Sequence, residues 1–216
     1  MIYNKPVICI TDLETLSLST SAAVIQIGAV KIDVDFNILG TFSMTIDPQD
    51  AAAHGSTSQS TLDFWNSSSV SPEAKRRAFG GRNTSKDVAE VFSGFLDNVD
   101  YVLGNGTAAD NVWLRNYYHS LGIKQPDALF HRNDLCLKTL RNLCHIYKGK
   151  EDNELYPSLE EVDEYLYERG IDHKSEKHDA LSDCFIELLV LKNCLRTLKV
   201  SAPLLKGLYR RGGKLW

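Results

Sequence analysis

Two carboxylates stand two residues apart near the start of the chain, in the segment VICITDLETL at residues 7–16. The apolar run before them is typical of a buried strand, and strand side chains alternate, so Asp12 and Glu14 should point to the same side. Two carboxylates a few ångströms apart repel each other unless a proton or a cation lies between them. Hard divalent ions such as Mg²⁺ and Mn²⁺ prefer oxygen ligands of this kind. The pair could therefore hold a metal ion, although so short a pattern is more often a pair of solvated charges at a strand end.

Three residues further along the chain could complete such a site. Asp110, in LGNGTAADNVW, comes one or two residues into a helix that follows a short buried strand, near the sheet edge where open α/β sheets carry their sites. Asp183, in KHDALSDCF, lies in the first turns of a long apolar helix, and His178 precedes it by five residues. Alone, each has an ordinary explanation as a helix-start carboxylate or a surface histidine. Together with Asp12 and Glu14 they are the inventory that a two-metal hydrolase requires.

The hydrophobic pattern predicts the elements that would position these residues. Strands are expected at 7–12, 23–32 and 38–46, as an antiparallel meander, then at 101–106 and from residue 133, each leading into a helix. Helix signals include Ser71 before Pro72, and Ser158 with Glu161 as a capping box. Thr84 and Asp87 have the same spacing, ahead of an apolar face at Val88, Val91, Phe92 and Phe95. The fold class is therefore α/β, with a mixed five-stranded sheet, three antiparallel strands then two parallel, flanked by helices.

Composition limits the kind of protein to which the sequence can belong. Its 216 residues, 43% hydrophobic and 24% charged, suit a single domain over 1–216, with a core at about 5–196 and a basic C-terminal extension at 197–216. No apolar stretch has the roughly 18 to 20 residues needed to span a bilayer, and the N-terminus lacks a secretion-signal pattern. Five cysteines without CxxC spacing predict reduced thiols rather than disulfides or a zinc site. We expect a cytoplasmic protein with no membrane partner.

The net charge of −4 does not by itself favour a nucleic-acid partner. A polyanion would have to be held by metal ions or by a local basic surface. Two segments could supply that surface, although a solvated face is the default for either: Lys75, Arg76 and Arg77, and the C-terminal KGLYRRGGKLW with Lys206, Arg210, Arg211 and Lys214.

The acidic segments resemble a known family of nucleases. DLET at 12–15, GNGTAADNVWL at 104–114 and HDALSD at 178–183 are similar to the three exonuclease motifs of the DEDDh, DnaQ-like 3′–5′ exonucleases, in the same order. The resemblance covers about residues 5–196 and implies a ribonuclease H-like fold. STLDFWNSSSVSPEAKRRAF at 60–79 is also similar to a Trp-containing segment of small phage and prophage exonucleases of the exodeoxyribonuclease VIII type. That similarity implies a bacterial cell and a phage-encoded origin.

The resemblance implies a role for each residue of the site. Asp12, Glu14 and Asp183 would ligate one Mg²⁺ or Mn²⁺ ion, and Asp12 would be shared with a second ion that Asp110 reaches directly or through water. The two ions would activate the attacking water and stabilise the leaving 3′ oxygen. His178 would accept the proton of that water, which suits a side chain whose ordinary pKa is about 6.5.

Four further residues are candidates for substrate binding. Thr15 and Leu16 directly follow the acidic pair, and in related enzymes this backbone and an adjacent apolar side chain contact the terminal nucleotide; Leu16 could equally be a core residue. Trp65, together with its neighbour Phe64, could stack on an unpaired base, although a buried aromatic pair is the commoner use of such side chains. Asn105 could support the second motif or serve as a turn residue.

The sequence therefore predicts a metal-dependent 3′–5′ exonuclease that hydrolyses terminal phosphodiester bonds and releases nucleoside 5′-monophosphates. Its partners would be 3′ ends of single-stranded nucleic acid, DNA rather than RNA, and replication or recombination proteins. Single strands are preferred because a duplex end enters a narrow acidic cleft only after fraying. Two alternatives stay open: an RNA 3′–5′ exonuclease of the oligoribonuclease or ribonuclease T type, and a nuclease-like module that binds nucleic acid or a replication protein without cutting.

Overall fold

The computed structural model describes residues 5–199, and the basic C-terminal segment from Lys206 onwards lies outside these residues. A five-stranded mixed sheet forms the centre of the molecule, in the order β3-β2-β1-β4-β5. The strands are β1 (Val7–Thr15), β2 (Val24–Asp33), β3 (Ile38–Thr45), β4 (Tyr101–Gly104) and β5 (Asp134–Cys136). β1, β2 and β3 pair antiparallel, whereas β4 and β5 run parallel to β1. The predicted α/β class and strand directions are confirmed.

Within the described residues, eight α-helices flank the sheet. They are α1 (Pro48–His54), α2 (Gln59–Asn66), α3 (Pro72–Phe79), α4 (Ser85–Phe95), α5 (Asp110–Ser120), α6 (Leu137–Lys148), α7 (Leu159–Tyr167) and α8 (Ala180–Thr197). Short 3₁₀ turns lie at Asp127–Leu129, His131–Asn133 and Asp152–Glu154. None of the helices within residues 5–199 has both the length and the apolar character needed to cross a membrane.

The helix starts follow the capping residues in the sequence. The Ser71 hydroxyl accepts from the Ala74 N–H with Pro72 at the first helical position, and Ser158 and Glu161 form the predicted reciprocal capping box. Thr84 caps α4 by accepting from the Asp87 N–H at 3.1 Å. Val91 does not share the buried face of α4, because its side chain is 53% exposed. The sequence reading also missed α1, whose signal is Asp47 accepting from the Gln49 N–H ahead of Pro48.

Two strand ends differ from the expected positions. β1 continues through Thr15 instead of ending at residue 12, so the acidic pair stands within the strand rather than after it. The extension is paired, since Asp12 lies opposite Gly28 and Glu14 opposite Gln26 on β2. β4 ends at Gly104, two residues earlier than predicted. Pairing with a neighbouring strand, rather than local hydrophobicity, decides where each strand stops.

The alternation of β1 divides its side chains between two hydrophobic cores. Cys9 and Leu13 belong to one apolar cluster, and Ile10 to the other. Asp12 and Glu14 share the side of Ile10, because they follow it by two and four residues. That side also carries the buried residues of α8. The carboxylates thus lie where the second core ends, beside α8. All five cysteines are unpaired thiols, four of them buried and Cys136 half-buried, as predicted.

Candidate active site

Asp110 reaches the site from the end of β4. It is the first residue of α5, is 6% exposed, and accepts from the backbone N–H of Gly106 at 3.2 Å through Oδ2. A Cβ on Gly104 would stand 2.9 Å from that same Oδ2. A glycine at the end of β4 therefore leaves the space that the Asp110 carboxylate occupies.

Helix α8 brings Asp183 to the sheet. The helix begins directly against β2: a Cβ on Gly28 would come within 2.2 Å of the backbone carbon of Ala180. Gly28 is the residue opposite Asp12, so the absence of a side chain there allows the first turn of α8 to approach the acidic pair. Asp183 follows Ala180 by three residues, which places it on the same helix face.

Three of the predicted residues form a close group. One ligand atom from each of Glu14, His178 and Asp183 lies within 4.8 Å of the other two, and this is the only such group of His, Cys, Asp and Glu within residues 5–199. Asp12 and Asp110 lie outside this group but interact with it electrostatically. The charges of Asp183 and Glu14 raise the pKa of Asp12, and the charge of Asp110 raises the pKa of Glu14. Carboxylates with an imidazole are a donor set that Mg²⁺, Mn²⁺ or Zn²⁺ accepts, so the residues present fit a divalent ion.

Burial raises the pKa of every carboxyl group in this cluster, and repulsion from neighbouring carboxylates adds to the rise for Asp12, Glu14 and Asp183. The pKa of Glu14 rises to about 8, that of Asp183 to about 7 and that of Asp110 to about 6. The pKa of Asp12 rises well above its ordinary range. Removal from water is the first cause in all four, and the charge of Asp183 is the second for Asp12 and Glu14. Such groups favour a bound proton or a bound cation over bare charge.

His178 stands beside this cluster in a constrained segment. Its φ of 62° is a conformation that residues other than glycine seldom adopt and that is enriched at functional sites. Its backbone N–H bonds the Asp183 carboxyl and lowers the pKa of that group, against the rise caused by burial. Burial, followed by the charge of Lys177, lowers the pKa of the His178 imidazole. The ring is therefore neutral near pH 7, as both a general base and a metal ligand require.

Asp179, the next residue, anchors that segment to three parts of the protein. Its side chain caps α8 by accepting from the Ser182 N–H at 3.2 Å and accepts from Nε2 of Gln26 at 2.9 Å. Nη1 of Arg77, on α3, lies 3.3 Å from its Oδ2. The neighbouring His178 is thus held from β2, α3 and α8 together.

The basic side chains at residues 75–77 make contacts within the protein, and Arg76 is also exposed to solvent. Arg77 contacts Glu73 as well as Asp179, and Arg76 pairs with the same Glu73. Nζ of Lys75 donates to the carbonyl of Ser67 at 3.0 Å. Sequence reading could not separate these pairings from a solvated surface, because they depend on residues brought together by the fold.

The four predicted substrate-binding residues occupy different environments. Leu16 and Trp65 are 4% and 3% exposed, and Nε1 of Trp65 donates to the carbonyl of Thr15 at 3.1 Å. Trp65 therefore supports the backbone that follows the acidic pair. Asn105 accepts from Nη1 of Arg141 at 3.1 Å and from the Lys138 N–H through its carbonyl, which joins the end of β4 to α6. Contact of any of the four with a substrate stays a prediction.

Two further side chains lie near the site, and only one of them, Glu187, was not predicted from the sequence. Phe64 is 40% exposed and lies edge-on to the His178 ring, with centroids 5.2 Å apart. Glu187 is a buried acid one helical turn after Asp183. The spacing of four residues from Asp183 was the available signal for Glu187, since it places both on one helix face. Asp134 accepts from Nη1 of Arg115 and from Nδ2 of Asn111 at 3.0 and 2.7 Å.

Solved structures share this architecture. A structure of E. coli exonuclease I in complex with a 5cy-dT13 oligonucleotide has a TM-score of 0.61 and 18% identity, covering 96% of this chain and 44% of that chain. The zinc-bound form of an E. coli ExoI-ssDNA complex has a TM-score of 0.59 and 18% identity, with 95% and 43% coverage. An ExoI/SSB-Ct complex has a TM-score of 0.56 and 16% identity, with 91% and 43% coverage. The chain thus spans less than half the length of these exonuclease I chains, and it shares their fold.

The sequence also matches a family of known protein domains. The family of the 3′-5′ exoribonuclease Rv2179c-like domain matches residues 8–195, and the chain belongs to this family of 3′–5′ exonuclease domains. Among curated proteins, none matches the chain by sequence. The family match spans the five candidate catalytic and metal-binding residues, which are Asp12, Glu14, Asp110, His178 and Asp183.

Proposed function

We propose that the protein is a metal-dependent exonuclease that removes nucleotides one at a time from the 3′ end of a single strand and releases nucleoside 5′-monophosphates. The observation that carries this proposal is the convergence of Glu14, His178 and Asp183 within 4.8 Å. Asp12 and Asp110 interact electrostatically with carboxyl groups of this cluster. These groups come from three separate segments of the chain, and membership of a 3′–5′ exonuclease family supports the reaction.

The polypeptide contributes ligands, a base and a base-stacking surface in this proposal. Asp12, Glu14, Asp110 and Asp183 would hold Mg²⁺ or Mn²⁺, in a pair of ions as the family resemblance implies. When bound, the ions supply an activated water and charge stabilisation at the leaving oxygen. His178, neutral near pH 7, takes the proton of the attacking water. Beside it, the exposed Phe64 ring provides a face on which the terminal base can stack.

RNA is the substrate that we place first. The family description names an exoribonuclease, and that match rests on the sequence of residues 8–195. DNA, which the sequence alone favoured, is the second candidate because the exonuclease I structures that share the fold hold single-stranded DNA. The exodeoxyribonuclease VIII similarity of residues 60–79 points the same way. A replication or recombination protein as partner remains a proposal, supported by the ExoI/SSB-Ct complex of the same fold.

Matched oligonucleotides test this function. We expect Mg²⁺- or Mn²⁺-dependent shortening of 5′-labelled single strands from the 3′ end, faster for RNA than for DNA, with duplexes resistant until they fray. Asp12→Asn keeps the side-chain volume but removes a shared ligand, so it should abolish hydrolysis in a folded protein. Turnover equal to wild type in that variant would reject the metal site. Binding of the strands without any cleavage would instead support the non-cutting module, and faster cleavage of DNA would reverse the order of substrates.

A further inference from the structure

Glu187 is a buried acid for which the proposed reaction has no use. It lies one turn after Asp183 on α8, with its side chain on the same face of the helix. The residue is 3% exposed, and its Oε2 has no hydrogen-bond partner among residues 5–199. Burying an acid without a partner costs a protein several kcal/mol, by general estimates of desolvation. A partner that is not part of the polypeptide would explain why the residue stands there.

The charges around Glu187 show which groups its carboxyl interacts with. Burial raises its pKa well above the ordinary range, and the charge of Asp110 is the next cause, followed by Asp183. Glu187 in turn raises the pKa of Asp12 more than Glu14 or Asp110 does. The carboxyl therefore lies close enough to Asp12 and Asp110 for their charges to act on one another.

Arg141, the basic residue whose charge acts on Glu187, is paired with other groups. Arg141 lowers the pKa of Glu187 only as the last of four influences, and the described residues show no ion pair between them. Nη1 of Arg141 donates to Asn105 at 3.1 Å, and Nη2 lies 2.6 Å from Asp152. Its guanidinium also lies 4.9 Å from the centre of the Tyr156 ring. These contacts occupy the guanidinium, and within residues 5–199 no hydrogen bond or ion pair joins it to Glu187.

We propose that Glu187 is a positioning residue of the cation site, which holds a divalent ion through a bound water on the Asp12 and Asp110 side of the cluster. A role through water fits its place outside the close group of Glu14, His178 and Asp183. The inference rests on the proposed metal-dependent function, and it adds a fifth carboxylate to the four that the sequence motifs contain. Mutation of a residue that holds a metal-bound group in this way generally lowers metal affinity by about 10-fold to 100-fold.

Mn²⁺ binding to the full chain tests this role. In Glu187→Gln, which preserves shape and removes charge, calorimetric titration should show Mn²⁺ affinity reduced by about 10-fold or more. The melting temperature of the metal-free protein should stay the same or rise, whereas its increase on adding Mn²⁺ should shrink. The Mn²⁺ concentration for half-maximal hydrolysis should rise more than the saturated rate falls, and Glu187→Asp should recover part of the affinity. Glu164→Gln, an exposed acid on α7, is the matched control and should bind Mn²⁺ as wild type does.

The outcomes separate this inference from the proposed function. If wild type binds Mn²⁺ and Glu187→Gln binds it equally well, Glu187 has no role in the cation site, while the proposed function stands. The same conclusion follows if only the metal-free melting temperature falls. If wild type binds no Mn²⁺, both proposals fail. Should Glu187→Gln not fold, Glu187→Met fills a similar volume without charge, and unchanged affinity in that variant overturns the inference in the same way.

Discussion

Single residues at the site concentrate negative charge where the polypeptide offers little to balance it. Asp12, Glu14, Asp110 and Asp183 all have raised pKa values, and removal from water is the main reason. An ion would restore their charged forms, because its attraction offsets both desolvation and repulsion. His178 differs from these acids, since its lowered pKa leaves it neutral and able to accept a proton or to ligate an ion.

His178→Ala distinguishes these two uses of the ring. As a general base, the residue should contribute about 10² to 10⁴-fold to the chemical step, so single-turnover cleavage should slow by that factor with Mn²⁺ affinity unchanged. Loss of Mn²⁺ affinity in step with the rate would show that the ring is a ligand instead. His119→Ala, at an exposed position near the end of α5, is the control and should match wild type in both measurements. A normal single-turnover rate in His178→Ala would remove the residue from the mechanism.

Secondary-structure elements bring the acids together through close backbone contact. Helix α8 begins against β2 at Gly28, and Asp110 fits beside Gly104 at the end of β4. In both places a side chain would overlap backbone or carboxylate atoms at less than 3.0 Å. The site therefore depends on Gly28 and Gly104, which have no side chain with which to bind an ion or a substrate.

Gly28→Ala should separate α8 from the acidic pair. The added Cβ would meet backbone atoms of Ala180 and Leu181 at 2.2 to 2.4 Å, which side-chain rotation cannot relieve. Overpacking of this kind costs about 1 to 3 kcal/mol in general, and here it also displaces Asp183. We expect a lower melting temperature and weaker Mn²⁺ binding, measured by thermal unfolding and calorimetry. Gly94→Ala on α4, where nothing lies within 4 Å, should be neutral or slightly stabilising. Wild-type Mn²⁺ affinity in Gly28→Ala would contradict this role for the contact.

The acidic cluster makes the stability of the whole protein depend on pH. Glu14, Asp183 and Asp110 have pKa values of about 8, 7 and 6 in the folded state, above their ordinary values of 4.5, 3.8 and 3.8. These three groups therefore hold more protons in the folded protein than in the unfolded chain between about pH 4 and pH 8. Their contribution to the free energy of unfolding falls as pH rises through this window, and it is fully present only below the unfolded pKa values.

Thermal unfolding of the metal-free protein from pH 5 to pH 8 measures this effect. Each excess proton lost on raising the pH costs about 1.4 kcal/mol per pH unit, so the melting temperature should decline steadily. Saturating Mn²⁺ should flatten the decline, because the ion replaces the protons. Asp183→Asn removes one of the raised groups and should reduce the slope of the metal-free protein. A melting temperature that rises from pH 5 to pH 8 would show that these carboxyl groups are charged in the folded state.

The sequence by itself determined the fold class and the directions of the strands, and it singled out the acids proposed for the site. Alternation along β1, 3.6-residue periodicity and capping residues act within a few positions of the chain, so they can be read locally. The extension of β1 to Thr15, the helix α1 and the exposure of Val91 were beyond that reading, because strand pairing and packing decide them. Only the tertiary structure showed that Trp65 is buried under Thr15 and that Phe64 carries the exposed ring.

The same division applies to the site. Asp12, Glu14, Asp110, His178 and Asp183 were all selected from residue type and motif, since a divalent ion requires oxygen and nitrogen ligands whatever the fold. Their convergence, the glycine that admits α8 and the unpaired carboxyl of Glu187 depended on the meeting of segments far apart in the chain. The physical reason is that desolvation and close packing are properties of neighbours in space, which local sequence patterns do not record.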